Sequence, residues 1–285
     1  MLYLPLALYH VGVNEGGYVV RALFLACCAT TLLLALFNKS ISFPSAITTA
    51  SSALVAPYLA QPSGYVRPSI ARVVQQKHQL LLTLARLHNH PQLTNLSDQE
   101  FAALMVTILY TEQLGWLEDA IPSIRPLTPI YQEAQVVSND YLGTNFSVWP
   151  ANLRPSVVNE ILSQDIPQVG HSEMLLLIPH RLQQTQYANT LAHNDDTAFA
   201  LLAANLERGI LRAQHEHVTI TWKTLLAWHN AGIVDPAHIA QNRSLQHYLQ
   251  RATVYHTIAL PLYRDDVACL IPAIAQQVTD RPITH

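Results

Sequence analysis

One carboxylate stands out for the chemistry it could perform. Glu112 closes a stretch, residues 97–116, in which every residue from Phe101 to Tyr110 except Thr107 is apolar or alanine. At helical spacing Phe101, Met105, Ile108 and Glu112 fall within about 60° of one another, so the carboxyl shares a line with residues that seek a core. Desolvation there disfavours the charged form and raises the pKa towards use as a general acid. The competing expectation is an ordinary helix-end glutamate that points into water. Other residues suited to a site lie downstream: Ser147, Trp149 and Asn152 in one loop, then His229 and Asn230 before a glycine. Amides donate and accept at once, and an indole offers a flat apolar face. A turn or cap role competes for each asparagine, and a core role for Trp149 and His229.

The elements that position these residues read as helices. Ser97 followed by Glu100 has the spacing of a capping box, and Gly115 is a stop for the same helix. The helix has no visible polar face and is expected inside a domain. A lead-in helix is expected from Pro68 to about His88, ended by Asn89-His90-Pro91. Residues 118–142 carry Pro122, Pro126 and Pro129 and should form a loop and a helix around residues 131–137. Residues 143–156 read as a loop rich in turn residues, followed by a short helix to Leu162. Residues 174–178 are an apolar run that could be a strand. Asn194 caps an amphipathic helix through about Ala213, Thr221 caps one ending at Gly232, and Pro236 opens another. The sum is a mainly α fold with at most a small β element.

Composition narrows the setting. The 285 residues are half hydrophobic and only 12% charged, with a net charge of −3. That balance gives no basic footprint for nucleic acid. Cys27, Cys28 and Cys269 supply neither a disulfide framework nor a cysteine metal cluster. His215 and His217 diverge by about 200° on a helix, no third ligand is patterned nearby, and no metal or other cofactor is expected. Residues 22–37 carry no charge and lie between Arg21 and Lys39. With Val19 and Val20 they approach the length of a membrane span and are read as a transmembrane anchor, a signal segment or buried core helix being the alternatives. The expected organisation is an anchor or signal in residues 1–45, a linker and lead-in helix in 46–96, the main domain in 97–258 and an extension in 259–285.

Three pieces, in this order, resemble the lysozyme-like fold of the peptidoglycan lytic transglycosylases. Tyr110-Thr111-Glu112-Gln113 resembles that family's catalytic glutamate at the end of an apolar helix, with Gln113 in place of the usual serine. The stretch from Ser147 through Val148-Trp149-Pro150-Ala151-Asn152 to Ser156 is similar to its Gly-Leu-Met-Gln loop, with Asn152 at the place of the glutamine. Leu226-Ala227-Trp228-His229-Asn230-Ala231-Gly232 resembles its Ala-Tyr-Asn-Ala-Gly, with His229 where the family has the tyrosine that contacts the acid. The resemblance implies a lysozyme-like domain that cleaves peptidoglycan glycan strands. Glu112 would be the catalytic acid and then base, giving 1,6-anhydro products. Ser147, Trp149, Asn152, His229 and Asn230 would contact substrate, with Asn152 and Asn230 binding its N-acetyl or hydroxyl groups. A membrane-anchored enzyme on the extracytoplasmic side of the envelope is expected. A noncatalytic glycan- or partner-binding module, a hydrolytic lysozyme and a membrane-bound scaffold are the alternatives. The sequence names no protein partner.

Overall fold

A computed structural model describes residues 64–113, 127–174, 176 and 187–264. The N-terminal apolar run, Gly115, Cys269 and most of residues 174–178 lie outside the described residues, and so do the expectations attached to them; Glu118 and Asp119, two carboxylates that could stand near Glu112 as a second acid, lie outside them too. Among the described residues no helix is long and apolar enough to cross a membrane. The described fold is mainly α. Its helices are α1 Pro68–Gln76, α2 His78–His88, α3 Pro91–Thr94, α4 Asp98–Glu112, α5 Thr128–Leu142, α6 Pro155–Leu162, α7 Tyr187–His193, α8 Asp195–His215, α9 Trp222–Ala231, α10 Pro236–Gln241 and α11 Arg243–Ala259, followed by a 3-10 turn at Leu260–Tyr263. The sheet is a two-stranded antiparallel hairpin of β1 Asp165–Ile166 and β2 Gly170–His171.

Two helices form the centre. In α4 every residue from Phe101 to Thr111 is buried, as the absence of a polar face requires. The capping box is present: the Ser97 hydroxyl accepts from the Glu100 amide at 3.2 Å, and the Ser97 amide donates to the Glu100 carboxyl at 2.8 Å. Thr107 and Thr111 are tolerated because their hydroxyls donate back to the carbonyls of Ala103 and Thr107, each at 2.7 Å. The second central helix, α8, is more enclosed than its amphipathic pattern predicts. Its residues from Thr197 to Ile210 are all buried, including Asn205, Glu207 and Arg208. Burial of those polar groups is met by pairing. Glu207 accepts from His88 and His90, each at 2.8 Å, while Arg208 bonds Asn205, the Asp165 carbonyl and Glu160.

Around this centre α4 packs against α2 and α11, and α8 against α2, α6, α7 and α9. One hydrophobic core runs from Ile70 to Tyr263, so the lead-in helices belong to the same packed body as α4. Two local expectations change. The lead-in helix is broken at Lys77, which leaves helical geometry with ψ 14. The helix expected around residues 131–137 begins earlier, at Thr128 with Pro129 in its first turn, and runs on to Leu142, where Gly143 at φ 63 stops it in the left-handed region. The described strands lie at residues 165–171, where Gln168 and Gly170 have φ of 68 and 92 and turn the chain sharply.

Candidate active site

Glu112 is the last residue of α4, where the helix has delivered its full apolar length into the core and ends. The end is anchored by Gln113, which is fully buried. Its side-chain oxygen accepts from the Arg67 amide at 2.9 Å, its amide donates to the Tyr65 carbonyl at 3.2 Å, and the Arg67 guanidinium bonds its backbone carbonyl. Residues 65–67 are thereby tied to the site helix at the position next to the candidate acid. A serine, with its single short hydroxyl, could not reach both backbone partners. Gln113 thus has a structural reason of its own.

The partner of Glu112 comes from the loop that follows α5. Asn152 donates from Nδ2 to Glu112 Oε2 at 2.7 Å. The loop presents it by a tight reversal: the Val148 amide donates to the Leu153 carbonyl at 2.9 Å, the Trp149-Pro150 bond is cis, and Val148, Ala151 and Leu153 are buried. Asn152 itself has φ 51, a left-handed conformation that asparagine accepts more readily than most residues. Two further asparagines hold the loop. Asn139 on α5 accepts from the Phe146 amide and Thr144 hydroxyl and donates to the Phe146 carbonyl, all at 2.8 Å. Asn145 brackets Ser156 at the start of α6, accepting from its amide at 3.0 Å and donating to its hydroxyl at 2.8 Å. Replacing Asn139 by Ala removes three bonds that hold the loop, two of them to the Phe146 backbone. A loss of about 2 to 3 kcal/mol in chemical denaturation is expected, with Asn152 released from Glu112.

The electrostatics fit an acid. Burial pushes the Glu112 carboxyl from 4.5 up to about 7, against the opposing pull of the Tyr248 hydroxyl and the positive charge of Arg251. The negative end of the α4 dipole acts in the same direction as burial. Tyr248 and Arg251 sit one turn apart on α11, which packs along α4. The Tyr248 phenol is in turn pushed up by burial and by the charge of Glu112, so it remains a hydroxyl. Asn152 holds the group without selecting its charge, since an amide donates to a carboxylate or turns to accept from the acid. Asn152→Gly, which adopts the left-handed conformation without strain, should lower turnover in the reaction proposed below by about 10- to 100-fold, the worth of one hydrogen bond to a charged group, with little change in melting temperature. Steady-state kinetics beside a thermal melt distinguish this from unfolding.

The other expected site residues are placed less uniformly. Trp149 packs half-buried against the core, with its Nε1 buried. Ser147 is half-buried just before the reversal. His229 lies in the last turn of α9, where burial lowers its pKa to about 4 and keeps it neutral. Its described hydrogen-bond contact is Asn205 at 3.5 Å. Asn230 is exposed at the end of the same helix, and no hydrogen bond joins it to Glu112 or Asn152. The structure thus brings Glu112 and Asn152 together and adds Tyr248 and Arg251, which the sequence reading missed. The aromatic hydroxyl beside the acid comes from Tyr248, while His229 turns to Asn205. Glu112 Oε1, Trp149 Nε1, His229 Nε2 and the Tyr248 hydroxyl are buried without a partner of good hydrogen-bond geometry. Buried polar atoms in that state are rare in folded proteins, and each calls for a local explanation such as an ordered water, an ion or a catalytic role.

No family model, curated protein or solved structure matches this chain. The functional reading therefore rests on the residues themselves.

Two remaining carboxylates near the loop have structural work. Asp140 on α5 accepts from the amides of Ala188 and Asn189 at 3.2 and 3.1 Å, capping α7 from a distance, and Glu160 pairs with Arg208. His215 ends α8, and His217 has φ 57 just beyond it.

Proposed function

We propose that this chain is a lysozyme-like, glycan-cleaving enzyme of the lytic transglycosylase type, acting on peptidoglycan from the outer side of a membrane to which residues 22–37 tether it. The observation that carries the proposal is the state of Glu112: a buried carboxyl at the end of an apolar helix, raised to about 7 and gripped by an asparagine from a distant loop. A carboxylic acid that keeps its proton near neutrality is what protonation of a glycosidic oxygen requires.

The reaction needs one such group. Glu112 gives its proton to the leaving oxygen as the C1–O bond breaks. The resulting carboxylate then takes the proton of the C6 hydroxyl as that oxygen bonds C1, closing a 1,6-anhydro ring and restoring the acid without water. Tyr248 and Arg251 favour the carboxylate formed between the two steps, and Asn152 serves both states. Ordinary glycosidases place a second carboxylate about 5 to 9.5 Å away. Among the described residues near the loop, Asp140 and Glu160 are already engaged structurally, in keeping with a single-acid route. Trp149, Ser147, His229 and Asn230 are proposed to contact the glycan.

Digestion of purified sacculi with the wild type and with Glu112→Gln, followed by mass spectrometry of the released muropeptides, tests this reading. Anhydro ends lost in the variant support it. Reducing ends would make the chain a hydrolase, and no release by either protein would make it a binder.

A further inference from the structure

Two histidines, separated by one residue, close on a single carboxylate far along the chain. His88 ends α2 and His90 precedes α3. The Nδ1 of His88 lies 2.8 Å from one carboxyl oxygen of Glu207 in α8, and the Nε2 of His90 lies 2.8 Å from the other. The residue between them serves different partners. Asn89 donates from Nδ2 to the Leu96 carbonyl at 2.9 Å and to Asp98, the first residue of α4, at 3.0 Å. Its side-chain oxygen accepts from the Thr94 hydroxyl at 3.0 Å. Three consecutive residues therefore join the two central helices, α8 through the imidazoles and the start of α4 through the amide.

The two imidazoles are not equivalent towards a proton. Facing a carboxylate, which only accepts, each ring must carry N–H on the nitrogen that meets it, so a further proton goes to the opposite nitrogen. On His88 that atom is Nε2, which is buried without a partner, and a proton there would have no acceptor. The His90 side chain is 38% exposed, so its added charge is shared with water, while the Glu207 carboxyl it meets is only 8% exposed and weakly screened. The neighbouring charged groups are engaged elsewhere. Asp98 is held by Asn89 and Glu100 by the capping box of α4, and Arg208, beside Glu207 on α8, bonds Asn205 and Glu160.

We propose that His88, Glu207 and His90 form a pH-sensitive strap: a proton taken up by His90 turns its bond to Glu207 into an ion pair, which tightens the hold of the α2–α3 link on α8 and on the start of α4, and release of that proton slackens both. A charge-assisted bond is about twice as strong as a neutral one. The direction follows from linkage. Donation to Glu207 raises the His90 pKa above its usual 6.5, against the opposing effect of burial. Its contribution to stability is therefore full below pH 6.5 and is lost as pH rises through the raised value. Burial works to raise the Glu207 pKa from 4.5, but bonding and charge from the two histidines outweigh it and hold the carboxyl lower. That contribution is present above pH 4.5 and is lost as pH falls through the lowered value. The strap is tightest between about pH 4.5 and 6.5, and it does not depend on the role proposed for Glu112.

The test uses the full chain in a Glu112→Gln background, so that the site carboxyl does not titrate, beside the same chain carrying His90→Gln. The glutamine amide can still donate to Glu207 but takes up no proton. Thermal melts should show the parent more stable than the His90→Gln variant by about 2 °C or more near pH 5.5, and by less than about half of that near pH 8.5. Histidine-ring 13C–1H NMR spectra of the parent, with His90→Gln identifying the missing signal, should place the His90 midpoint above 6.5, and Glu207→Gln should lower it. The midpoint in the parent decides the matter where Glu207→Gln fails to fold. A difference in melting temperature that is the same at both pH values would overturn the strap, and so would a His90 midpoint at or below 6.5.

Discussion

Glu112→Gln is expected to reduce glycan cleavage by about 10³-fold or more while leaving the fold intact and, at alkaline pH, more stable than the wild type. The catalytic loss follows from the amide having no transferable proton. The gain in stability follows from linkage. The folded carboxyl has a pKa of about 7 against an ordinary 4.5, so between those values the native state holds a proton that the unfolded chain has released. Stability contributed by this group is therefore full below pH 4.5 and falls as pH rises to about 7. Beyond that it is constant, at a total cost of roughly 3 kcal/mol. Gln fills the same space, retains a hydrogen-bonding amide for Asn152, and carries no such cost. Thermal melts of both proteins from pH 5 to 9 should diverge across this window, with the variant's curve flatter. Parallel curves would mean that the carboxyl is solvated and ordinary.

Gly209→Ala should be among the most damaging single-atom additions to this chain. Glycine inside a helix costs about 1 kcal/mol relative to alanine, yet α8 carries one in its interior. A β-carbon there would lie 2.5 Å from Cδ1 and 2.7 Å from Cγ of Trp228, and 3.2 Å from its Cβ. These atoms are at the stem of the indole, which is also fixed by donation from Nε1 to the Asn205 carbonyl at 2.7 Å and by the Arg208 guanidinium 5.7 Å from its ring centre. The indole cannot rotate aside without breaking that bond, so α9 must move outward as a unit and take His229 and Asn230 with it. A loss of about 3 kcal/mol or more in urea denaturation is expected, larger than the usual range for overpacking because the obstacle is doubly held. A fall in turnover should accompany it. In a Trp228→Ala background, which lacks Cγ and Cδ1, the cost of Gly209→Ala should largely vanish, a coupling that helix propensity alone would not produce.

These elements differ in how far the sequence exposed them. The site helix was legible because its signals are local: a capping pair three residues apart, then an apolar run without a polar face. The loop bearing Asn152 was legible as a loop from its prolines and turn residues. Tyr248 and Arg251 were not legible as site residues. They act on Glu112 from more than a hundred residues downstream, and on α11 Tyr248 reads only as one of several residues at core spacing. The start of α5 at Thr128 was available in Thr128-Pro129, a first-turn proline signal outweighed by the two prolines before it. The start of α7 was not: its cap is Asp140, supplied by another helix. The break at Lys77 carries neither glycine nor proline, and nothing local marks it.

Everything proposed for the site depends on the protonation state of one group. Selective 13C labelling of glutamate side-chain carboxyls, with Glu112→Gln used to assign the missing signal, would follow Glu112 directly through a pH titration by NMR. The account predicts a midpoint near pH 7 for the Glu112 carboxyl, raised further when Tyr248 is replaced by Phe and the opposing pull of its hydroxyl is lost. A midpoint near 4.5, unmoved by Tyr248→Phe, would contradict it.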